Sequence, residues 1–490
     1  MVSVYTEKHV AYRSPIQEVY CMKILMATSE FAPLASTGEL GDQIAMLTAE
    51  LRKLGHDVSV VLPFYRSIRS AATQSTGVEF QVSLGAKKVS TEIFETTGPG
   101  QVFLVRKDEY FDRSGMYSGN GKPYEDNSER FIFFARAATE LANRLSPAVD
   151  VIHCHDWSTA LVPVFVRDLR LPIRTVLTVH NLEHQGSFWS FDFGLTGLPG
   201  SYFSPRGVEF YGRLNFLKGG ILSADAVTFP GEVGLFEAFA PQHGFGLDVV
   251  LRENQSHLFG VPHGVDYSQT NPPLPTQKGR RGNGKAACRQ TLLAELGLET
   301  TIKGPVIALP IDPSDPTAFD PVAPILDLIL TSNTCMVVTG ETLHLPEIIV
   351  AERKYPSRFA YRPKADPALI QRILAGADFA VFPGSLGHRS VTLQTGLRYG
   401  TLPVVRADGG IHQLVADYDP LSDTGYGFVY QGKSSRSLWD AVRRAIQAYQ
   451  ERDAWNALVN RAKAVDFSWT ESAKGFAALY ANLLRHREAA

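Results

Sequence analysis

With 490 residues the chain is long enough for two or three domains, and 44% apolar with 20% charged residues is the composition of a folded globular protein. Its 48 basic residues stand against 50 acidic ones, a balance that gives no support to a nucleic-acid or anionic-membrane partner. Cys21, Cys154, Cys288 and Cys335 follow neither a disulfide-framework nor a metal-ligand spacing, which points to a reducing, cytoplasmic setting without metal or other cofactor. No apolar run reaches transmembrane length.

Residues 1–21 carry Glu7, Lys8, His9, Arg13 and Glu18 and lack an apolar stretch, so they read as an N-terminal extension and not as a secretory signal. From Met22 an apolar run of strand length ends at the polar turn Thr28-Ser29-Glu30. A glycine-bearing loop, Ser36-Thr37-Gly38-Glu39-Leu40-Gly41-Asp42, then opens a helix with Leu40, Ile44, Leu47 and Leu51 at helical spacing. His56 to Pro63 is the next strand. A β-loop-α-β unit of this kind binds ligands at the loop after its first strand, where helix amides point at an anion. Further strands are expected at 101–105, 151–155 and 174–180, with a helix over 127–145. The alternation predicts a mostly parallel sheet covered by helices, with functional side chains such as Asp156 and His180 at strand C-terminal ends.

Residues 268–304 break this rhythm. Asn271 to Pro275 and Lys278 to Lys285 read as a Pro/Gly/basic linker in contact with solvent. A second α/β block follows, with strands at 306–309, 336–340, 377–383 and 402–405 and helices at 367–375, 437–449 and 470–484. The expected divisions are 1–21, a first domain over 22–262, a linker and domain start over 263–304, a second domain over 305–465, and a C-terminal helix within 466–490.

Six short motifs, in order, resemble the bacterial glycogen synthases and plant starch synthases. They are the 36–42 loop, His153-Cys154-His155-Asp156-Trp157, Thr178 to Gly186, Asn215 to Ile221 with Ala224-Asp225, Gly244 to Asp248 with His263-Gly264-Val265-Asp266, and Arg398 to Arg406 with Gly409-Gly410. The resemblance covers nearly all of the chain after residue 21. It implies two Rossmann-like domains facing a cleft, the GT-B architecture, with the terminal helix returning to the first domain. It also implies retaining transfer of glucose from ADP-glucose to an α-1,4-glucan. By the same resemblance His180 lies beside the transferred sugar. Asp156, Asn181 and Gln185 are nearby polar positions, and Asp126, Asn127 and Arg130 belong to an acceptor-side motif. Thr37, Gly38, Gly41, Asp42, Thr392 and Arg406 are what remains of the nucleotide contacts. The residues alone leave a second reading open, in which His153, His155 and His180 are satisfied polar groups at strand ends.

The family's donor contacts are where this chain departs. Ser36 and Glu39 stand for the lysine and second glycine of Lys-Thr-Gly-Gly-Leu-Gly-Asp. Pro310 and Asp315 stand for the arginine and lysine of the donor segment, and Gly387 stands for a sugar-contacting glutamate. His388 and Arg389 are new cations nearby. The expectation is therefore a synthase-like protein with a degenerate donor site, impaired or inactive, that binds α-glucan or malto-oligosaccharide while ADP-glucose binding is doubtful. Two other readings stand beside it: an active glucosyltransferase with a rebuilt donor site, and a scaffold or regulatory partner of a true synthase.

Overall fold

A computed structural model describes residues 21–97, 100–267, 284–311, 315, 317–384, 390–407 and 414–488. The chain divides into two units, one running to Gly264 and resuming at Trp469, the other spanning Val265–Ser468.

In the first unit the apolar Lys23–Ala27 strand takes the centre of a nine-stranded sheet. It pairs in parallel with Asp57–Pro63 on one side and Val151–His155 on the other, so that Ile24 lies across from both Val58 and Val151. Outward from there run Arg174–Thr178, Ala226–Pro230 and Leu258–Val261 on one flank, all parallel. On the other flank Val102–Arg106 is parallel, and Lys87–Thr96 and Thr73–Leu84 close the edge as an antiparallel hairpin. The near-continuous burial of the central strands is what helices on both faces require. Asn127–Arg144 is the most deeply packed of these helices, with Phe131, Ile132, Phe133 and Phe134 all buried. Trp469–Glu488 adds Trp469, Ala473, Phe476, Leu479 and Tyr480 to the same core.

The second unit holds six parallel strands in the order Phe359–Arg362, Cys335–Thr339, Val306–Pro310, Phe379–Phe382, Leu402–Arg406, Phe428–Tyr430. Counted along the chain this is 3-2-1-4-5-6, the order of a dinucleotide-binding Rossmann sheet. Both units are thus α/β with parallel sheets, as the alternation implied.

One element is new and one expectation is corrected. The 73–96 hairpin did not follow from the sequence pattern. The stretch read as linker also contains a helix, Gly284–Leu296, that buries Cys288, Leu292, Leu293 and Leu296. Lys285 is consequently not a solvated linker charge. Its ammonium donates to Thr401 Oγ1 at 2.6 Å and to the Leu374 carbonyl at 3.3 Å, and burial pulls its pKa down to about 7. The rest of that linker, 268–283, lies outside the described residues, as do the 1–20 extension and the 408–413 segment with Gly409 and Gly410.

Candidate functional site

In the first unit the chain order reverses direction between the Lys23–Ala27 and Val151–His155 strands. The connections that leave the C-terminal ends of these two strands turn to opposite sides of the sheet, the place where α/β sheets form a ligand crevice. The polar residues that follow both strands meet at this point. Ser158 Oγ donates to Ser29 Oγ at 2.8 Å, and Ser29 Oγ lies 2.7 Å from the Tyr117 hydroxyl. Tyr117 in turn donates to Glu30 at 2.9 Å. The buried Glu30 carboxylate also accepts the Thr37 amide at 2.6 Å and the Thr37 hydroxyl at 2.8 Å, so it anchors the glycine loop from below. Gly41 lets the loop close: a Cβ there would lie 2.9 Å from Ser36 Oγ and 3.2 Å from the Ala32 amide nitrogen. At Gly38, which opens the Glu39–Lys53 helix, a Cβ would meet nothing within 4 Å. The helix amides there have no side-chain cap, and Glu39 and Asp42 place carboxylates in the first turn. Ser36, where the family carries lysine, turns its hydroxyl onto the Gly38 carbonyl at 2.7 Å.

Asp156 follows the Val151–His155 strand with φ 57° and ψ −173°, a region that glycine occupies almost alone, so the backbone is strained there. Its Oδ1 accepts the His180 amide at 2.7 Å and the Asn181 amide at 3.3 Å. Burial pushes its pKa up to about 7, those two amides pull the other way, and the nearby Glu30 charge adds to the rise. His180 lies two residues past the end of the neighbouring Arg174–Thr178 strand. Its Nδ1 is 3.0 Å from Gln43 Oε1, and its Nε2 is 3.1 Å from His155 Nδ1. With the amide oxygen of Gln43 as acceptor, the His180 Nδ1 carries the hydrogen. His155 Nε2 is a buried ring nitrogen without a hydrogen-bond partner among the described residues. His153 is satisfied on both sides, by Thr178 Oγ1 at 2.6 Å and by the Tyr480 hydroxyl at 2.7 Å. Burial drives the pKa of both His153 and His155 well below the usual imidazole value. The His263 ring lies 5.0 Å from that of His180.

Loop, Asp156, His180 and Asn181 are therefore assembled at one crevice. The 126–130 group holds a neighbouring loop. Arg130 is fully buried and donates to the Tyr110 carbonyl (2.7 Å), the Met116 carbonyl (2.9 Å) and Asn127 Oδ1 (2.5 Å). Asn127 Nδ2 holds the Tyr117 carbonyl at 2.9 Å, and Asp126 is paired with Arg113. Together they fix the loop that presents Tyr117 to Glu30, so in this structure Arg130 does not face solvent. Gln185 is likewise engaged, bonded to Asn215, the Leu182 carbonyl and the Phe245 carbonyl. Sequence reasoning missed Glu30, Gln43, Tyr117 and Tyr480. Glu30 had a visible signal, an acid three residues past the end of an apolar strand; the other three are recognised only by what they touch.

The second unit has its own reversal point, between Val306–Pro310 and Phe379–Phe382. The first of these strands ends in Pro310, which has no amide hydrogen to offer. Asp315 lies against the end of the second: a Cβ on Gly384 would come within 2.3 Å of Asp315 Oδ2. Asp315 Oδ1 accepts the Thr317 hydroxyl at 2.6 Å. Arg406, at the end of the next strand, donates from Nη1 to the Pro383 carbonyl at 3.0 Å. Thr392 is half-buried in the first turn of the Ser390–Tyr399 helix. Gly387, His388 and Arg389 lie outside the described residues.

Comparison with known proteins gives a consistent result. A family profile described as the starch synthase catalytic domain matches residues 23–253. A glycogen synthase of Thermodesulfovibrio yellowstonii is 33% identical over 498 residues, covering 95% of this chain and 99% of that protein. One from Anaeromyxobacter is 36% identical over 478 residues, covering 94% and 99%. The catalytic domain of starch synthase IV from Arabidopsis thaliana, solved with ADP and acarbose, superposes with a TM-score of 0.71 at 25% identity over 95% of this chain and all of that one. Sequence likeness at this level over nearly full length, together with parallel sheets of the same kind, means that the chain belongs to the glycogen and starch synthase family of glycosyltransferases.

Proposed function

We propose that this protein is an α-glucan-binding member of the family whose own transfer of glucose from ADP-glucose is impaired or absent. Glucosyl transfer with a nucleoside diphosphate leaving group requires cations or amide donors where negative charge accumulates on the departing phosphates. The observation that carries the reading is the Asp315 carboxylate against Gly384, at the position that aligns with a family lysine. A diphosphate meeting that carboxylate would be repelled where the family attracts it. Pro310 and Ser36 remove two further cationic contacts, and the Arg406 guanidinium is already donating to a main-chain carbonyl. A hydrogen bond to a charged group contributes about 1.5–3 kcal/mol, so three losses weaken the donor complex by several orders of magnitude.

The glucan side of the reading rests on the better-kept first unit. There the open space over Gly38 and the part-exposed Asn181 beside the Asp156 carboxyl offer room and polar partners for sugar hydroxyls. Among the described residues no helix is long and apolar enough to cross a membrane. Three buried free cysteines, Cys154, Cys288 and Cys335, support a cytoplasmic setting.

Calorimetric titration tests the proposal. Maltoheptaose is expected to give clear heat and ADP-glucose none, with no glucose incorporated into glycogen from labelled donor. Asp315→Lys combined with Ser36→Lys is expected to raise ADP affinity at least tenfold. Tight ADP-glucose binding or turnover by the unaltered protein would overturn it in favour of a rebuilt donor site.

A further inference from the structure

Between Ser187 and Asn215 the chain forms a small antiparallel sheet, in which Arg213–Asn215 pairs with Ser187–Phe188 on one side and Glu209–Phe210 on the other. Its base is rigid. The Lys218 ammonium is buried and donates to the carbonyls of Pro205, Gly207 and Glu209 at 2.7, 2.8 and 2.7 Å. Yet this rigid element turns its aromatic side chains outward. Trp189 is 63% exposed, Phe191 75% and Tyr211 85%, and the large apolar residues exposed between 187 and 213 are all aromatic. The Trp189 and Phe191 rings are 4.4 Å apart at 45°, and those of Phe210 and Tyr211 are 4.6 Å apart.

The backbone makes this arrangement costly. Tyr211 and Gly212 form the turn between the Glu209–Phe210 and Arg213–Asn215 strands with φ 48° and 75°. Two-residue hairpin turns with both φ positive favour Asn-Gly or Asp-Gly, and a bulky aromatic at the first position is strained. A buried ring could offset that strain through packing; the Tyr211 ring is almost fully exposed and does not. Phe245 repeats the pattern with φ 48° and 47% exposure. It lies beside the same hairpin: its neighbour Gly246 lies against Phe210, with a Cβ there 3.6 Å from the ring, and the Phe245 carbonyl is held by Gln185 Nε2 at 2.9 Å. Two exposed aromatics in the left-handed region around one hairpin point to a role that stability does not provide.

We propose that Trp189, Phe191, Tyr211 and Phe245 form a stacking platform for a linear α-glucan chain, a second contact beyond the crevice at His180. The inference rests on the glucan-binding reading above and extends it. A pyranose presents a face of C–H groups that packs on an aromatic ring and a rim of hydroxyls that need polar partners. The platform supplies the rings, and the half-buried Ser190 and Asp192 lie next to them in the chain. Residues 181–188 join it directly to the His180 strand end, through the turn that Gln185 pins to Asn215 at 2.7 Å. A polymer lying across the platform would thus continue toward the crevice, whereas a short oligosaccharide would fill the crevice alone.

The test compares glycogen co-sedimentation with maltotriose calorimetry for the full-length protein, for Trp189→Ala/Phe191→Ala, and for Tyr211→Asn. The double variant is expected to bind glycogen about tenfold more weakly, the loss of two ring contacts, with maltotriose affinity unchanged. Tyr211→Asn is expected to weaken glycogen binding while raising the melting temperature, because it relieves the strained turn; folding damage cannot imitate that pair of results. Glycogen affinity equal to the unaltered protein in both variants would overturn the platform. So would self-association that the double variant abolishes without changing glycogen binding, which would make the face a contact between copies. An unaltered protein that binds neither glycogen nor maltotriose would sink the glucan reading itself, a result distinct from either.

Discussion

Asp156 shows how one carboxyl is shaped by its place at a strand end. Buried, and facing two main-chain amides through Oδ1, it holds its proton up to about pH 7, while the unfolded chain releases the same proton near the ordinary aspartate value. Between about pH 4 and 7 the folded state therefore carries a proton that the unfolded state has lost, and stability falls as pH rises through that window. Asp156→Asn keeps an Oδ1 acceptor for both amides and removes the titration. In urea unfolding the variant's advantage over the unaltered protein is expected to grow by roughly 1.4 kcal/mol per pH unit across the window and to level off above it. His153 and His155 act with the opposite sign: their depressed values mean that stability is lost as pH falls below about 6.5, in both proteins alike. A gap independent of pH would show that Asp156 is ionised throughout. The sequence marked Asp156 and His180 because polar residues ended apolar runs. It did not mark Gln43 or Tyr117, whose roles depend on contacts with residues about 90 to 140 positions away.

At the scale of elements, the Trp469–Glu488 helix is joined to the sheet by a polar contact as well as an apolar one. The Tyr480 hydroxyl meets His153 Nδ1, and both residues are buried. Tyr480→Phe preserves the ring and strands the imidazole nitrogen, which is expected to cost about 1–3 kcal/mol, read as a lower urea midpoint for the first unit. This helix was legible from apolar residues at helical spacing, Phe476, Leu479, Tyr480 and Leu483, and the central strands because each is a continuous apolar run bounded by polar or proline residues. The Thr73–Leu84 and Lys87–Thr96 hairpin was not. Its strands are exposed along much of their length, Gly77 interrupts one of them, and the register shifts between Ser75 and Val78. The Gly284–Leu296 helix hid for a different reason: its first residues complete a Gly/basic run, and only burial of Cys288 and the three leucines reveals its inner face.

For the whole molecule the division at Gly264 and Trp469 means that the first unit is discontinuous in sequence. Trp469, Phe476, Leu479 and Tyr480 are all buried in its core. At about 1.5–3 kcal/mol for each large apolar side chain, their removal costs roughly 6–12 kcal/mol, comparable to the whole stability of an ordinary domain. Residues 1–468 alone are therefore expected to show one calorimetric transition, from the second unit, with the first unit's transition missing; two transitions would refute this. The repetition of a parallel sheet in both units was evident from the alternation of strands and helices, and the strand orders were not, since pairing between distant segments leaves no local trace.

The contact between His153 and Tyr480 spans 327 positions. A ribosome adding about 5–20 residues per second needs roughly 16 to 65 seconds to travel that distance. During that interval the second unit emerges complete and can close, while the strand ends of the first wait for their last helix. The part of the protein that is made first is thus finished last, and it is the half-made first unit, with its apolar face uncovered, that a nascent-chain chaperone would have to shield.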